Sequence, residues 1–440
     1  MGGEWHTTTL ENAPLEIIDG DRGTSYPSQA EFSPSGHCLF LNAGNVTTSG
    51  FNFSDCAFIT PEKDALLRKG KLVRNDVVLT TRGTIGNSAY FDHSVPFDHI
   101  RINSGMVILR AKQPALHSRY LYLFVRSALF HSQVAALRTG SAQPQLPIRD
   151  INRIEIPIPP QDEQRAIAHI LGTLDDKIEL NRRMNETLEA TARALFKSWF
   201  VDFDPVRAKS EGHDPGLPKH IANPFPDSFE DSELGEIPKG WKVRPFSMAV
   251  EIIGGGTPKT NVDEYWNGDI PWFSIADAPN ENDVFVIDTK MKINQTGIDH
   301  SATRILPIGT TIISARGTVG KVALVGVPMA MNQSCYGLQG TGAGPYFTYF
   351  ATRQLVVALK QRSHGSVFDT ITRDTLDGVE MITPSGPELD TFEGFVASLM
   401  ERIRYNLKES KTLADLRDTL LPKLISGGVC VGDHLRAEFT

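Results

Sequence analysis

Cysteine is scarce in this sequence, and the few present do not cluster. Cys38, Cys56, Cys335 and Cys430 are scattered, without C-x-x-C spacing. That excludes the usual zinc-site pattern and a disulfide-stapled secreted fold, and suits a reducing cytoplasm. Long apolar runs are missing as well: none reaches the roughly 18 residues a membrane span needs. The opening Met1-Gly2-Gly3-Glu4-Trp5-His6 has no basic stretch followed by an apolar one, so no signal peptide is expected. Positive charge is in deficit. The chain carries 44 Lys and Arg against 52 Asp and Glu, a net charge of −8. Nucleic-acid binders are often basic. The deficit weakens that reading without excluding it, because acidic groups several Debye lengths away do not cancel a local field.

Catalytic signatures are lacking too. There is no H-E-x-x-H, no G-x-x-x-x-G-K-[ST] and no cluster of nuclease carboxylates, and the 12 histidines are dispersed. The nearest approach to the [ND]-P-P-[YF] loop of an adenine methyltransferase is Asn223-Pro224-Phe225-Pro226. Its order is wrong, and it lies in a Pro-rich stretch. No catalytic, cofactor-binding or metal-binding residue is therefore assigned. A divergent methyltransferase or nuclease with unrecognised motifs is the enzymatic alternative, and a protein-only scaffold is a third reading.

What is present is a tandem repeat spread over 440 residues, enough for two or three domains. Trp5 matches Trp241, and Glu16-Ile17-Ile18-Asp19-Gly20 matches Glu251-Ile252-Ile253-Gly254-Gly255. Phe40-Leu41-Asn42-Ala43 matches Trp272-Phe273-Ser274-Ile275. Thr81-Arg82-Gly83-Thr84-Ile85-Gly86 matches Ala315-Arg316-Gly317-Thr318-Val319-Gly320, and Ile148-Arg149-Asp150 matches Thr372-Arg373-Asp374. The landmarks keep their order, and their spacing drifts by only about a dozen residues.

Each repeat opens with a strand-rich part. Short β-branched runs such as Val77-Val78-Leu79-Thr80 and Thr311-Ile312-Ile313-Ser314 sit between Gly, Pro and Asn clusters. A proline-bounded strand closes it, and one long helix follows. Residues recur at alternating spacings of three and four, mostly apolar or small: Ile167, Leu171, Leu174, Ile178, the polar Asn181 and Asn185, Leu188, Ala192, Leu195 and Trp199, then Leu389, Phe392, Val396, Leu399, Ile403, the polar Asn406 and Ser410, Leu413, Arg417, Leu420 and Leu424. That is a coiled-coil seam. Arg417 breaks it, and Leu416 beside it is expected to take over the contact. Asn181 and Asn406 hold the same heptad position near the middle of each seam, where a polar residue specifies register. An antiparallel pairing with only apolar layers around them sets Ile178 against Asn406, Asn181 against Ile403, Leu188 against Val396 and Leu171 against Leu413.

The expected architecture is α+β: two strand-rich domains related by a pseudo-twofold, separated by two long helices in an antiparallel coiled coil. The expected boundaries are residues 1–158 for the first domain, 159–203 for the first helix and 204–238 for a linker. Residues 239–384 form the second domain, 385–427 the second helix and 428–440 a tail.

The segment from Leu146-Pro147-Ile148-Arg149-Asp150 through Ile156-Pro157-Ile158-Pro159-Pro160-Gln161, running into Leu195-Phe196-Lys197-Ser198-Trp199-Phe200, resembles the central region of the specificity (HsdS) subunits of type I restriction–modification systems. Trp241, Gly254-Gly255-Gly256-Thr257-Pro258, Arg316-Gly317-Thr318-Val319-Gly320 and the closing Leu420-Leu421-Pro422-Lys423-Leu424 extend the resemblance over nearly the whole chain. It implies two target-recognition domains, each reading half of an asymmetric bipartite sequence in double-stranded DNA. It also implies a non-catalytic subunit of a cytoplasmic complex. Its helices would dock two methyltransferase (HsdM) subunits, with motor-nuclease (HsdR) subunits completing the enzyme. S-adenosylmethionine, ATP and Mg²⁺ would belong to those partners.

Candidate DNA contacts follow from side-chain chemistry. Arg82 and Arg316, in the matched R-G-T turns with Thr84 and Thr318, can fork onto guanine or phosphate; pairing with a carboxylate inside the domain is the alternative. The glycine loops offer Arg22, Thr24, Ser25 and Tyr26 in the first repeat. The second offers Gly255, Gly256, Thr257, Lys259 and Thr260. Plain turns are the alternative there. Asn42, Asn45, Ser141, Gln143, Ser274, Lys321 and Ser366, at or near the remaining matched loops, complete the set.

Overall fold

The structure, a computed structural model, describes residues 5–137, 144–279, 283–362, 370–384 and 386–431. It divides into two compact units. One is Met1–Lys177 with Thr412–Thr440, the other Ile178–Lys411.

In the first unit, Leu15–Asp19, Met106–Ala111, Val77–Thr80 and Ser88–Tyr90 form an antiparallel sheet in that order. All of Val77–Thr80 is buried, as a β-branched run covered on both faces should be. Alternation sends Val77 and Leu79 to a core shared with Tyr120 and Phe124, and Val78 to another shared with Ile108 and Ile102. In a second sheet Cys38–Leu41 pairs antiparallel with Phe58–Ile59 and parallel with Ile100–Ile102. His6–Thr9 pairs with Glu155–Ile158, closing the strand-rich part where it meets the helix.

The second unit repeats this plan. Val250–Gly254, Cys335–Gly340, Thr311–Ser314 and Val322–Val325 reproduce the first sheet, with Phe285–Val286 added at its edge. Trp266–Phe273 pairs antiparallel with Met291–Ile293 and parallel with Ala330–Met331, and Lys242–Pro245 closes on Glu380–Thr383. Ile313 and Ile312 again face separate cores.

Two helices of 40 residues each, Gln161–Phe200 and Gly386–Ile425, run from one unit into the other. They pack antiparallel. In the first unit Ile167 and Leu171 share a core with Leu421, Leu424 and Ile425. In the second, Ala192, Phe196 and Trp199 share one with Leu389, Phe392, Val396 and Ile403.

The register differs from the all-apolar expectation. The Asn406 amide donates to the Asn185 side-chain oxygen at 2.9 Å, and the Asn181 amide donates to Ser410 Oγ at 3.2 Å and to Glu409 Oε2 at 2.7 Å. Asn406 thus faces Asn185 instead of Ile178, one heptad along. Asn181 and Asn406 are both 0% exposed. A buried amide facing isoleucine would forfeit about 1–3 kcal/mol of desolvation, so polar layers pair with each other. Asn406→Ala strands the Asn185 acceptor and is expected to destabilise the second unit by about that amount. Tryptophan fluorescence during denaturant unfolding reads it, since Trp199 and Trp241 lie in that core.

Arg417 is also not a vacancy filled by Leu416, which is 47% exposed. Its guanidinium donates to Asp175 at 2.7 Å, and Asp175 also accepts from Arg126 at 2.9 Å. The defect in the seam is an ion-pair junction tying both helices to the helix Ser118–Val125.

The stretch 204–238 is folded rather than a bare linker. It forms helices Asp204–Ser210 and Lys219–Ala222 and a hairpin of Phe229–Ser232 with Gly235–Pro238. Val206, Ile221 and Phe225 are buried against the core that holds Trp199 and Trp241. Within the expected tail, Val431 is buried and its amide donates to Glu163 at 2.8 Å.

Candidate nucleic-acid interface

The R-G-T turns have the same geometry in both units. The Thr81 and Arg82 amides donate to the Gly105 carbonyl at 2.8 and 3.2 Å; the Ala315 and Arg316 amides donate to the Ser334 carbonyl at 2.8 and 3.2 Å. Gly86 closes on Thr80 at 3.0 Å, and Gly320 on Ser314 at 2.9 Å. A hydroxyl inside each turn, Thr80 or Ser314, donates to the Thr84 or Thr318 carbonyl. Gly83 and Gly317 take φ of 73° and 77°, a left-handed conformation that a side chain would strain. Arg82 pairs by a β-bridge with Gln145 and Arg316 with Thr370. Arg82, Thr84, Arg316 and Thr318 are exposed. Among the described residues neither guanidinium meets a carboxylate, so the intradomain ion pair weighed as an alternative is not seen.

The glycine loops converge on the same spot as these turns. A Cβ on Gly20 would lie 2.2 Å from the Asn103 carbonyl oxygen, and one on Gly255 would lie 1.9 Å from that of Asn332. These glycines admit the chain's own backbone. Gly256 is equally committed: its amide donates to Met331 at 3.0 Å and its carbonyl accepts the Trp272 indole at 3.1 Å. Arg22 donates to the Ser104 carbonyl at 3.4 Å and to Asp19 at 3.1 Å. Thr257 hydrogen-bonds the exposed Gln333. Each unit therefore gathers its glycine loop and its arginine turn around one tight turn, Asn103–Gly105 or Asn332–Ser334. Sequence reasoning missed these turns. Their signal was Asn-x-[Gly or Ser] ahead of the matched strands Met106–Ala111 and Cys335–Gly340.

Other candidates are spent on the fold. Asn45 is 2% exposed, donates to the Asn52 and Asp55 carbonyls at 3.0 and 2.7 Å, and accepts the Asn42 amide at 2.9 Å. Asn42 accepts from Gly44 at 2.7 Å, and Ser274 donates to Asp277 at 2.8 Å, each capping a short 3-10 turn. Tyr26 packs edge-on against Phe40 at 5.6 Å. Thr24, Lys259, Thr260 and Lys321 are exposed, and Ser25 is half-buried. Ser141, Gln143 and Ser366 lie outside the described residues.

Among the described residues no group of His, Cys, Asp or Glu is placed to hold a metal ion. No helix among them is long and apolar enough to cross a membrane.

Two strand-rich repeats, each displaying an exposed arginine turn, together with two long antiparallel helices, define a class of duplicated α+β proteins. The family model described as "Type I restriction modification DNA specificity domain" matches twice, over residues 15–190 and 238–394. The chain is 27% identical over 458 residues to the type I restriction enzyme HindI specificity subunit of Haemophilus influenzae, covering 93% of this chain and 98% of that one. It is 26% identical over 367 residues to the MjaIX specificity subunit of Methanocaldococcus jannaschii, covering 80% and 77%. The crystal structure of the type I restriction–modification S subunit from M. genitalium shares the fold, with a TM-score of 0.59, 16% identity and 96% coverage of both chains.

The chain belongs to the type I restriction modification DNA specificity domain family. It is a specificity subunit of a type I restriction–modification system, a non-catalytic DNA-binding component of that complex.

Proposed function

We propose that each strand-rich region, residues 1–158 and 239–384, is a target-recognition domain reading one half of an asymmetric, bipartite sequence in double-stranded DNA. The observation that carries this is the duplicated R-G-T turn, with an exposed arginine that meets no carboxylate among the described residues, beside a glycine loop. A planar guanidinium fixed on a short, hydrogen-bonded turn can fork onto guanine O6 and N7 or onto a phosphate. The glycine loops differ in sequence, Asp21-Arg22-Gly23-Thr24 against Gly256-Thr257-Pro258-Lys259, so the two halves differ. The long helices dock two HsdM subunits and set the spacing between the halves, with the Asn181–Asn406 layers holding register. HsdR joins through the complex, and S-adenosylmethionine, ATP and Mg²⁺ are bound by the partners.

Purified alone, the chain is expected neither to methylate nor to cleave DNA; with its cognate HsdM it confers sequence-specific methylation. Replacing residues 1–158 with the corresponding domain of a relative changes one half of the methylated sequence and keeps the other. Methyl transfer by the single chain, or a change in both halves together, would overturn the reading.

A further inference from the structure

The segment Arg68-Lys69-Gly70-Lys71 plays no part in the reading above, yet it is built into the same platform. Arg68 donates its amide to Asp21 Oδ2 at 2.8 Å, while Asp21 Oδ1 accepts the Gly23 amide at 2.9 Å. These backbone hydrogen bonds hold the Asp21 carboxyl below the usual carboxylate range, so one ionised carboxylate ties the basic segment to the glycine loop. From the other side the Lys69 carbonyl accepts Arg101 Nη1 at 2.8 Å, and the Gly70 carbonyl accepts the Ile102 amide at 2.9 Å. A Cβ on Gly70 would lie 3.2 Å from Gly20 Cα. The main chain of the segment is thus pinned beside the glycine loop and the Asn103–Gly105 turn.

Its side chains are not pinned. Arg68 and Lys69 are exposed, and neither cation meets a carboxylate among the described residues. Lys71 differs, since its ammonium lies 2.5 Å from Asp64. The segment thus carries two exposed cations on a fixed backbone, on the platform that also carries the exposed Arg82. In the second unit the matching place against Gly256 is taken by Ala302 and Thr303.

We propose that Arg68 and Lys69 grip DNA phosphates at the edge of the first unit's reading surface. The inference rests on the first unit being a DNA reader. Contacts of this kind fix position and carry no base information. Each phosphate neutralised adds about 0.9 to the slope of log affinity against log salt.

The test compares the complex of the full chain and its HsdM with the same complex carrying R68Q/K69Q, on DNA holding the methylated sequence. The variant is expected to bind more weakly to every sequence alike and to have a salt slope smaller by about 1.8. Between 50 and 200 mM salt it then loses about 12-fold less affinity than the unaltered complex. The sequence methylated stays the same. An unchanged slope overturns the proposal, as does an altered base in the methylated sequence, which would make these residues readers. Loss of HsdM from the variant complex also overturns it, by placing the cations at a protein interface. Failure of the unaltered complex to bind its sequence specifically would instead overturn the proposed function itself.

Discussion

Asp64→Ala is expected to cost the first unit about 3–5 kcal/mol, the range for breaking one partner out of a buried ion pair. Asp64 and Arg101 each keep only 6% of their side-chain surface, and Arg101 Nε lies 2.5 Å from Asp64 Oδ1. Lys71 shares the carboxylate at 2.5 Å, and His37 approaches it at 3.5 Å. Without the carboxylate the Arg101 guanidinium is left buried with only the carbonyls of residues 64 and 69. Burial pushes the Asp64 carboxyl up, but hydrogen bonds and charge from Lys71 and Arg101 outweigh it and bring it from 3.8 to about 2. A folded-state value below the unfolded one means the ion pair contributes fully above about pH 4 and is lost as pH falls toward 2. Asp64→Asn, which removes the titration while keeping the shape, is expected to be destabilised near neutrality and to lose this segment of the acid limb. Denaturant unfolding followed by circular dichroism from pH 7 to 2 reads both; an acid limb identical to the unaltered chain's would contradict the assignment.

The second large effect falls on recognition. Arg82→Gln and Arg316→Gln are each expected to weaken binding to the target by about 1–3 kcal/mol, roughly 5- to 150-fold, if the lost contact is to a base. Each change should relax one half of the sequence and leave the other. Both side chains are exposed, and the amide hydrogen bonds that shape their turns are made by the backbone, so thermal stability should change little. A phosphate contact gives a different pattern, a uniform loss over all sequences with a salt slope smaller by about 0.9.

The repeat, the long helices and their antiparallel pairing were legible because they rest on periodicity, which survives without knowledge of neighbours. Val77–Thr80 and Thr311–Ser314 were legible as strands because they are β-branched runs bounded by turn residues. Register was not legible, because counting apolar pairs ignores what a buried amide needs. Across the helices the Asn406 amide donates to Asn185 and the Asn181 amide to Ser410, and those hydrogen bonds outweighed the all-apolar layering. Arg417 reads as a break in the seam because Asp175, the carboxylate it shares with Arg126, is far away in sequence. Residues 204–238 read as a linker because prolines and polar residues hide Val206, Ile221 and Phe225, whose burial depends on aromatic residues elsewhere. At the candidate interface the exposed arginine turns were visible as motifs. Asn45 lies at a matched loop, but its side chain spends three hydrogen bonds closing that loop. Gly255 and Gly256 read as part of a DNA-contacting loop, whereas the space they leave is filled by the backbone at Asn332 and Thr303.

The central claim is that two separable readers sit on one chain, each with its own arginine turn. The most direct test is to express the chain with its HsdM in cells lacking other adenine methylation and map every methylated adenine, then repeat with Arg82→Gln and with Arg316→Gln. The account predicts a bipartite sequence interrupted by a fixed run of unread bases, with the two changes degrading opposite halves. A continuous target, or both substitutions degrading the same half, would contradict it.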